Sequence, residues 1–318
     1  MRKRIMHLLT KIKRRFITSL PVKFLIRKSR SLVLPGFNGI PLYDVIRFFI
    51  KQIQKTSLNE RASSISFNIL MAIPPACIFL FTLLPYLPVK GLMSELFTLI
   101  RDVIPGESNN SSIIDFFQDI ISRERNDLLS FGLLLAFFFS SNAVIGIMRS
   151  FNKTYYDGFK VRNAFHDRLE AIKLTFILFV LIIASIAALV LRARVLTWLG
   201  IESETLISLI LNLRWIVIIL LFFFTISFIY KHAPAVHEKW RLISPGSLIA
   251  TFLMLVFTIV FSYYVANFAN YNKLYGSIGT ILIIMLLIYF NSLVLLIGFE
   301  LNVSIKSLKR AADKRKNQ

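Results

Sequence analysis

Ionised side chains are scarce in this sequence. Asp, Glu, Lys and Arg make up 17% of its 318 residues, against about a quarter in soluble domains. Hydrophobic residues rise to 56%, and mean hydropathy is +0.66. That balance excludes an ordinary water-soluble globule and points to a lipid-embedded chain. There is one cysteine, Cys77, inside an apolar run. No disulfide can form within the chain, no cysteine-based metal site is available, and the thiol reads as a small buried hydrophobe. Histidine is equally rare: His7, His166, His232 and His237. The nearest pair, in KHAPAVHEKW, is spaced i, i+5 across a proline, which fits no helical zinc pair. No G-x-S-x-G, Walker loop or G-x-G-x-x-G occurs. No Asp/Glu cluster resembles a two-metal nuclease site. The expectation is a chain without catalytic machinery, cofactor or metal.

Acids are the scarcer charge, 17 against 38 Lys and Arg, for a formal net charge of +21. Such an excess suits nucleic acid only where a basic face or a binding module gathers it. None is present. Loops on the inner side of a membrane collect the same residues for topological reasons, so no nucleic-acid partner is expected.

What the sequence does have is long runs without charge, at 62–89, 128–148, 174–191, 215–230, 242–272 and 274–299. About 20 helical residues cross the hydrocarbon of a bilayer. The fourth run is short and extends upstream toward Ile207, with Arg214 snorkelling to the surface. Backbone groups in lipid must be satisfied within the segment, and these runs are too long for barrel strands. The predicted fold is an all-α, six-transmembrane-helix bundle with spans near 64–88, 128–148, 173–191, 208–230, 244–266 and 276–299. A basic N-terminal segment, 1–61, precedes the helical domain, 62–305, and a basic tail, 306–318, follows it. With both termini inside, thirty of the 38 Lys and Arg fall on the inner side, while nine of the 17 acids fall outside. That bias predicts a bacterial inner membrane and cytoplasmic termini.

Two N-terminal segments read as interfacial helices. Leu42, Val45, Ile46, Phe49, Ile50 and Ile53 form one apolar stripe, with Asp44, Arg47, Lys51, Gln54 and Lys55 opposite. Residues 5–17 carry a weaker stripe. Anionic inner-leaflet headgroups and other membrane lipids are the expected partners of this segment. Between the stripes, LPGFNGIP (34–41) reads as a turn. The basic start lacks the apolar stretch of a signal peptide and is expected to be retained. The outer loop, 90–127, reads as two short amphipathic helices. They serve either to cover the bundle or to act as a lid. Nothing in the sequence fixes an oligomeric state.

Polar residues inside spans are costly and usually face protein. Asn68 and the pair Pro74-Pro75 interrupt the first span. Tandem prolines remove two donors and are expected to kink or break the helix, either for packing alone or to expose backbone to a substrate. Asn142, with Ser140 and Ser141, lies in the second span. Tyr271 and Tyr275 cluster near the turn before the sixth span, where Gly276 opens GSIG, a small-residue stretch suited to close helix packing. Asn291 lies deep in the sixth span and Glu300 at its inner end. Glu300 suits an ion pair with Arg149, Lys231 or Arg241, or a proton carrier.

The order and spacing of these segments resemble the YihY/BrkB family of bacterial inner-membrane proteins. RASSISFNILMAIPPACIFL is similar to its opening span, and SSNAVIGIMRSFNKTYYDGFKVRNAFHDRLEAI to its second span and following loop. The stretch from HAPAVHEKW to LIGFELN is similar to its last two spans. The resemblance covers roughly residues 40–305. It implies six helices with both termini inside, and it maps the family's motif positions to Pro74, Asn142, Tyr275, Gly276, Glu300 and Asn302. Phe299 stands where the family commonly has a small residue, which implies looser packing there. Members have been labelled ribonuclease BN, a label generally regarded as mistaken. Others are linked to serum resistance or to export of lipid precursors. The functional expectation is a transporter-like protein moving a lipid or amphiphilic anion. The alternatives are a scaffold or assembly factor and, disfavoured, a membrane-tethered ribonuclease.

Overall fold

In the computed structural model the described residues are 20–83, 98, 126–154, 163–198, 204–236, 240–268 and 277–316. Among them no β-strand occurs, and the fold is all-α as the uncharged runs predict. The helices are α1 (Leu20–Ser31), α2 (Leu42–Lys55), α3 (Leu58–Leu83), α4 (Asn126–Asn152), α5 (Ala164–Trp198), α6 (Glu204–His232), α7 (Pro245–Phe268) and α8 (Ser277–Lys316). Four hold stretches long and apolar enough to cross a bilayer: Leu58–Phe79, Phe131–Asn152, Pro245–Val265 and Ile281–Lys316. In α6 the corresponding apolar stretch, Ile219–His232, is shorter. The described structure therefore carries four candidate spans where the sequence leads to six. Helices α5 and α6 overlap the third and fourth predicted runs, but most side chains of 184–218 lie outside the described residues. So do most of the outer loop, the segment 5–17, and Tyr271, Tyr275 and Gly276.

The chain divides into two compact units, one from residues 1–56 and 300–318 and one from 57–299. In the first, a helix not anticipated from the sequence, α1, leads into the predicted turn. Gly36 and Gly39 have φ of 85° and 82°, and Asn38 has φ of 54°. These are left-handed conformations that glycine adopts freely and asparagine tolerates. The turn brings the Leu42 N–H to the Leu32 carbonyl at 2.9 Å. It also places Arg30 over the Tyr43 ring at 4.9 Å. Phe37, Ile40 and Val45 form a core with Leu301 and Ile305 from the end of α8. Leu301, Ile305 and Leu308 recur at helical spacing, so α8 is packed as far as the start of the predicted basic tail and continues as an exposed helix to Lys316. The apolar stripe of α2 is divided: Val45 is fully buried, while Ile46 and Ile50 are exposed. Helix α2 ends where Thr56 turns extended and its hydroxyl donates to the Gln52 carbonyl at 3.1 Å.

In the second unit α3 packs most extensively on α4, and α4 also holds α5; α6 packs on both α5 and α7. The α3 helix runs through Pro74 and Pro75 as one element from Leu58 to Leu83, so the predicted break does not occur. Its long contact with α4 holds the line where local propensity would end it. Helix α7 starts at a reciprocal cap: the Ser244 N–H donates to Ser247 Oγ at 3.1 Å, and the Ser247 N–H donates to Ser244 Oγ at 3.2 Å. Pro245 follows at the first helical position, where its missing N–H costs nothing.

Polarity in this unit is inverted relative to a soluble protein. On α7, Phe252 is 65% and Ile259 68% exposed, while Ser247 there and Ser227 on α6 are 0% exposed. Burying hydroxyls while presenting large apolar side chains is the arrangement hydrocarbon favours. Several of these hydroxyls are satisfied by their own helix. Ser66, Ser141, Thr175 and Thr251 each donate to a carbonyl three or four residues back, at 2.7–2.9 Å.

Candidate functional site

Three helix ends converge in the second unit: the start of α3, the end of α4 and the start of α5. Asn142, Gly146, Arg149 and Lys153 follow one another at three- and four-residue intervals, which lines them up along one side of α4 and its C-terminal extension. Asn68 faces them from α3, with its Nδ2 donating to the Ser64 carbonyl at 2.7 Å. Gly146 makes this approach possible. A Cβ there would stand 3.0 Å from the Asn68 Nδ2. From α5, Arg168 reaches across to α4 and donates through Nη1 to the Asn142 Oδ1. Its guanidinium carbon also lies 4.9 Å from the Phe138 ring centroid, a cation–π contact that fixes its position further.

These side chains enclose a cavity of about 490 Å³, lined also by Ser64, Ser150 and Ala164. Three of its lining residues, Arg149, Lys153 and Arg168, are cationic, and none of the described lining residues is acidic. Ala164 opens α5, so the positive end of that helix faces the same space. Amide donors, hydroxyls and three cations together make a setting for an oxyanion rather than for a metal ion. Arg168 also lines a second space, an apolar groove of about 370 Å³ between α4 and α5. Leu133, Leu134, Phe137 and Phe138 form its α4 wall, and Ile172 and Phe176 its α5 wall.

The crossing of α6, α7 and α8 is built differently. Phe299 is fully buried and stacks on Phe151 at 3.9 Å and on Trp240 at 5.3 Å. The looser packing implied for Phe299 is therefore not found; aromatic partners fill the space around it. The Tyr230 hydroxyl donates to the Leu295 carbonyl at 2.6 Å. Gly298 lets the helices touch. A Cβ there would lie 2.5 Å from the Tyr230 Oη, 2.6 Å from the Gly246 carbonyl oxygen and 2.7 Å from the Ala250 Cβ.

Of the residues singled out from sequence, Asn68, Asn142 and Arg149 come together at the cationic cavity. Pro74 and Pro75 lie further along α3 and do not line it. Asn291 stands on α8, with its Nδ2 donating to the Leu287 carbonyl at 2.9 Å. Its Oδ1 is buried without a hydrogen-bond partner. Glu300 and Asn302 belong to the other unit, 0% and 4% exposed. Sequence reasoning missed Arg168 and Lys153, counting both only as inner-side charges. An arginine in the second turn of a helix, just ahead of an apolar run, was the available signal. It also missed Arg61, which is buried and donates to the Thr154 hydroxyl at 2.9 Å.

Comparison with known proteins gives a family. The family model described as "Virulence factor BrkB" matches residues 49–318. The chain is similar to the ribonuclease-like protein YfkH of Bacillus subtilis, 28% identical over 272 residues, covering 83% of this chain and 98% of YfkH. A UPF0761 membrane protein of Tolumonas auensis is 32% identical over 80 residues, covering 25% of this chain and 26% of that protein. Another, from Idiomarina loihiensis, is 34% identical over 92 residues, covering 29% of this chain and 32% of that protein. The chain thus matches about a quarter to a third of the length of these two relatives. No solved structure matches it.

Proposed function

Because the chain belongs to the Virulence factor BrkB family, whose relatives are named as membrane proteins, we propose that it is a transporter-like protein acting on a lipid or amphiphilic anion. One observation carries this reading: a cavity holding Arg149, Lys153 and Arg168 with no acid among the described lining residues, in a unit whose outward surface is largely apolar. Three like charges gathered around one space repel one another, which costs free energy. An anionic ligand at least part of the time offsets that cost. The bilayer crossed is the bacterial inner membrane, in six passes with both termini cytoplasmic. The distribution of Lys and Arg supports this orientation. Cysteines placed at Glu60 and Arg310 are expected to stay unlabelled by an impermeant reagent in intact cells. Labelling of either would reverse the topology.

Flux is the test of function. Protein reconstituted in vesicles is expected to move a fluorescent phosphate-bearing lipid between leaflets, and Arg149→Gln/Arg168→Gln to abolish movement at normal abundance. A scaffold would show no flux with either protein. A nuclease, as the name of YfkH suggests for that relative, would cleave RNA with added divalent cation.

A further inference from the structure

We infer that the cationic cavity and the adjoining apolar groove form one two-part site for a lipid with a phosphate monoester headgroup, which enters sideways from the leaflet. The inference rests on the reading of the cavity as an anion site and specifies what is attached to the anion.

The joint between the two spaces is Arg168. It lines the polar cavity together with Asn142 and Arg149, and it lines the groove together with Phe138 and Phe176. Its contact with the Phe138 ring sits on the boundary. A molecule touching both spaces must be anionic at one end and apolar at the other, with the change of character at this guanidinium. Charge complementarity fixes the headgroup. Two guanidinium groups and one ammonium suit a group carrying up to two negative charges and several acceptor oxygens. A zwitterionic choline headgroup would bring a fourth cation beside three, with no acid among the described lining residues to receive it.

The groove sits on the outward side of α4 and α5, where Leu134 and Phe176 are exposed. An acyl chain gains little by leaving surrounding lipid for such a surface, because both are apolar. The groove therefore supplies room and direction, and the cavity supplies the affinity. This division makes a distinct prediction. Headgroup charge should control occupancy strongly, and filling the groove should exclude the lipid while sparing a free anion.

The test uses the full chain in phosphatidylcholine nanodiscs doped with phosphatidic acid bearing a diazirine in mid-chain. Photolabel is expected to map to 133–138 and 172–176, well above that from the matching phosphatidylcholine probe. Arg149→Gln/Arg168→Gln is expected to lower it about tenfold, the loss of one charge-assisted bond's worth of discrimination. Arg168→Lys keeps a cation and is expected to retain part of the label, separating lost charge from lost fold. Leu134→Trp fills the groove. It should remove the label, while inorganic phosphate still protects Arg149 and Arg168 from phenylglyoxal. Equal labelling by both lipids, with phosphate protection intact, would overturn the two-part site and leave the anion reading standing. Absence of both label preference and phosphate protection would overturn the two together.

Discussion

The α3–α4–α5 end and the α6–α7–α8 crossing of the second unit use the same alphabet of small and aromatic residues to opposite ends. At the crossing, Gly298 removes a side chain so that Tyr230, Gly246 and Ala250 can close in, and Phe151, Phe299 and Trp240 fill what remains. At the other end, Gly146 removes a side chain so that an amide can approach, and the space beyond stays open among cations. A glycine in a membrane helix thus has no single meaning. Its neighbours decide whether the room it makes is filled or kept.

The sharpest way to break this contrast is at the crossing. Gly298→Leu should cost more than the ~1–3 kcal/mol usual for overpacking, because two of the three obstructing atoms belong to packed neighbours and one is backbone. Most of the protein should be lost from membranes, as read by detergent size-exclusion profiles. Normal recovery would mean that the crossing is loose. Next comes Phe151→Leu, expected to lower stability by about 1–3 kcal/mol through lost stacking and volume, with anion binding unchanged. Tyr230→Phe removes one hydrogen bond and should cost about 1 kcal/mol in a thermal melt. At the open end the pattern should invert. Gly146→Ala presses on the Asn68 amide at 3.0 Å and should weaken phosphate protection of the arginines with little change in melting temperature. Lys153→Gln should have the smallest effect, a few-fold at low salt and less at high salt, because that ammonium is exposed and screened. A large stability loss from either open-end change would erase the distinction between the two regions.

The all-α character was legible because a bilayer demands long uncharged runs, and composition reports those directly. Asn68 and Asn142 were legible for the related reason that polar groups are conspicuous in such runs, whereas Arg149 was singled out only as a partner for Glu300. Arg168 was not, because it stands in a charged flank where one more cation carries no contrast. From local propensity a kink or a break was expected at Pro74 and Pro75, and α3 runs through both as one helix. Packing along α4 decides it, and packing has no signature in one segment alone. Phe299 was misread from the residue type usual at its position, whereas its two stacking partners come from Phe151 and Trp240, far away in sequence. The tail 306–318 was read from its Lys and Arg alone; the structure adds that it continues α8, whose Leu301, Ile305 and Leu308, spaced for one face, pack in the first unit.

The hydroxyls of Ser66, Ser141, Thr175 and Thr251 turn back onto their own backbones. Each is already content before its helix meets another. These four hydroxyls therefore do not latch one helix to the next, and small shifts of α3, α4 and α5 past one another would break none of these four bonds. What ties α4 to α5 by side-chain hydrogen bonding at this end is instead the Arg168 guanidinium on the Asn142 amide oxygen.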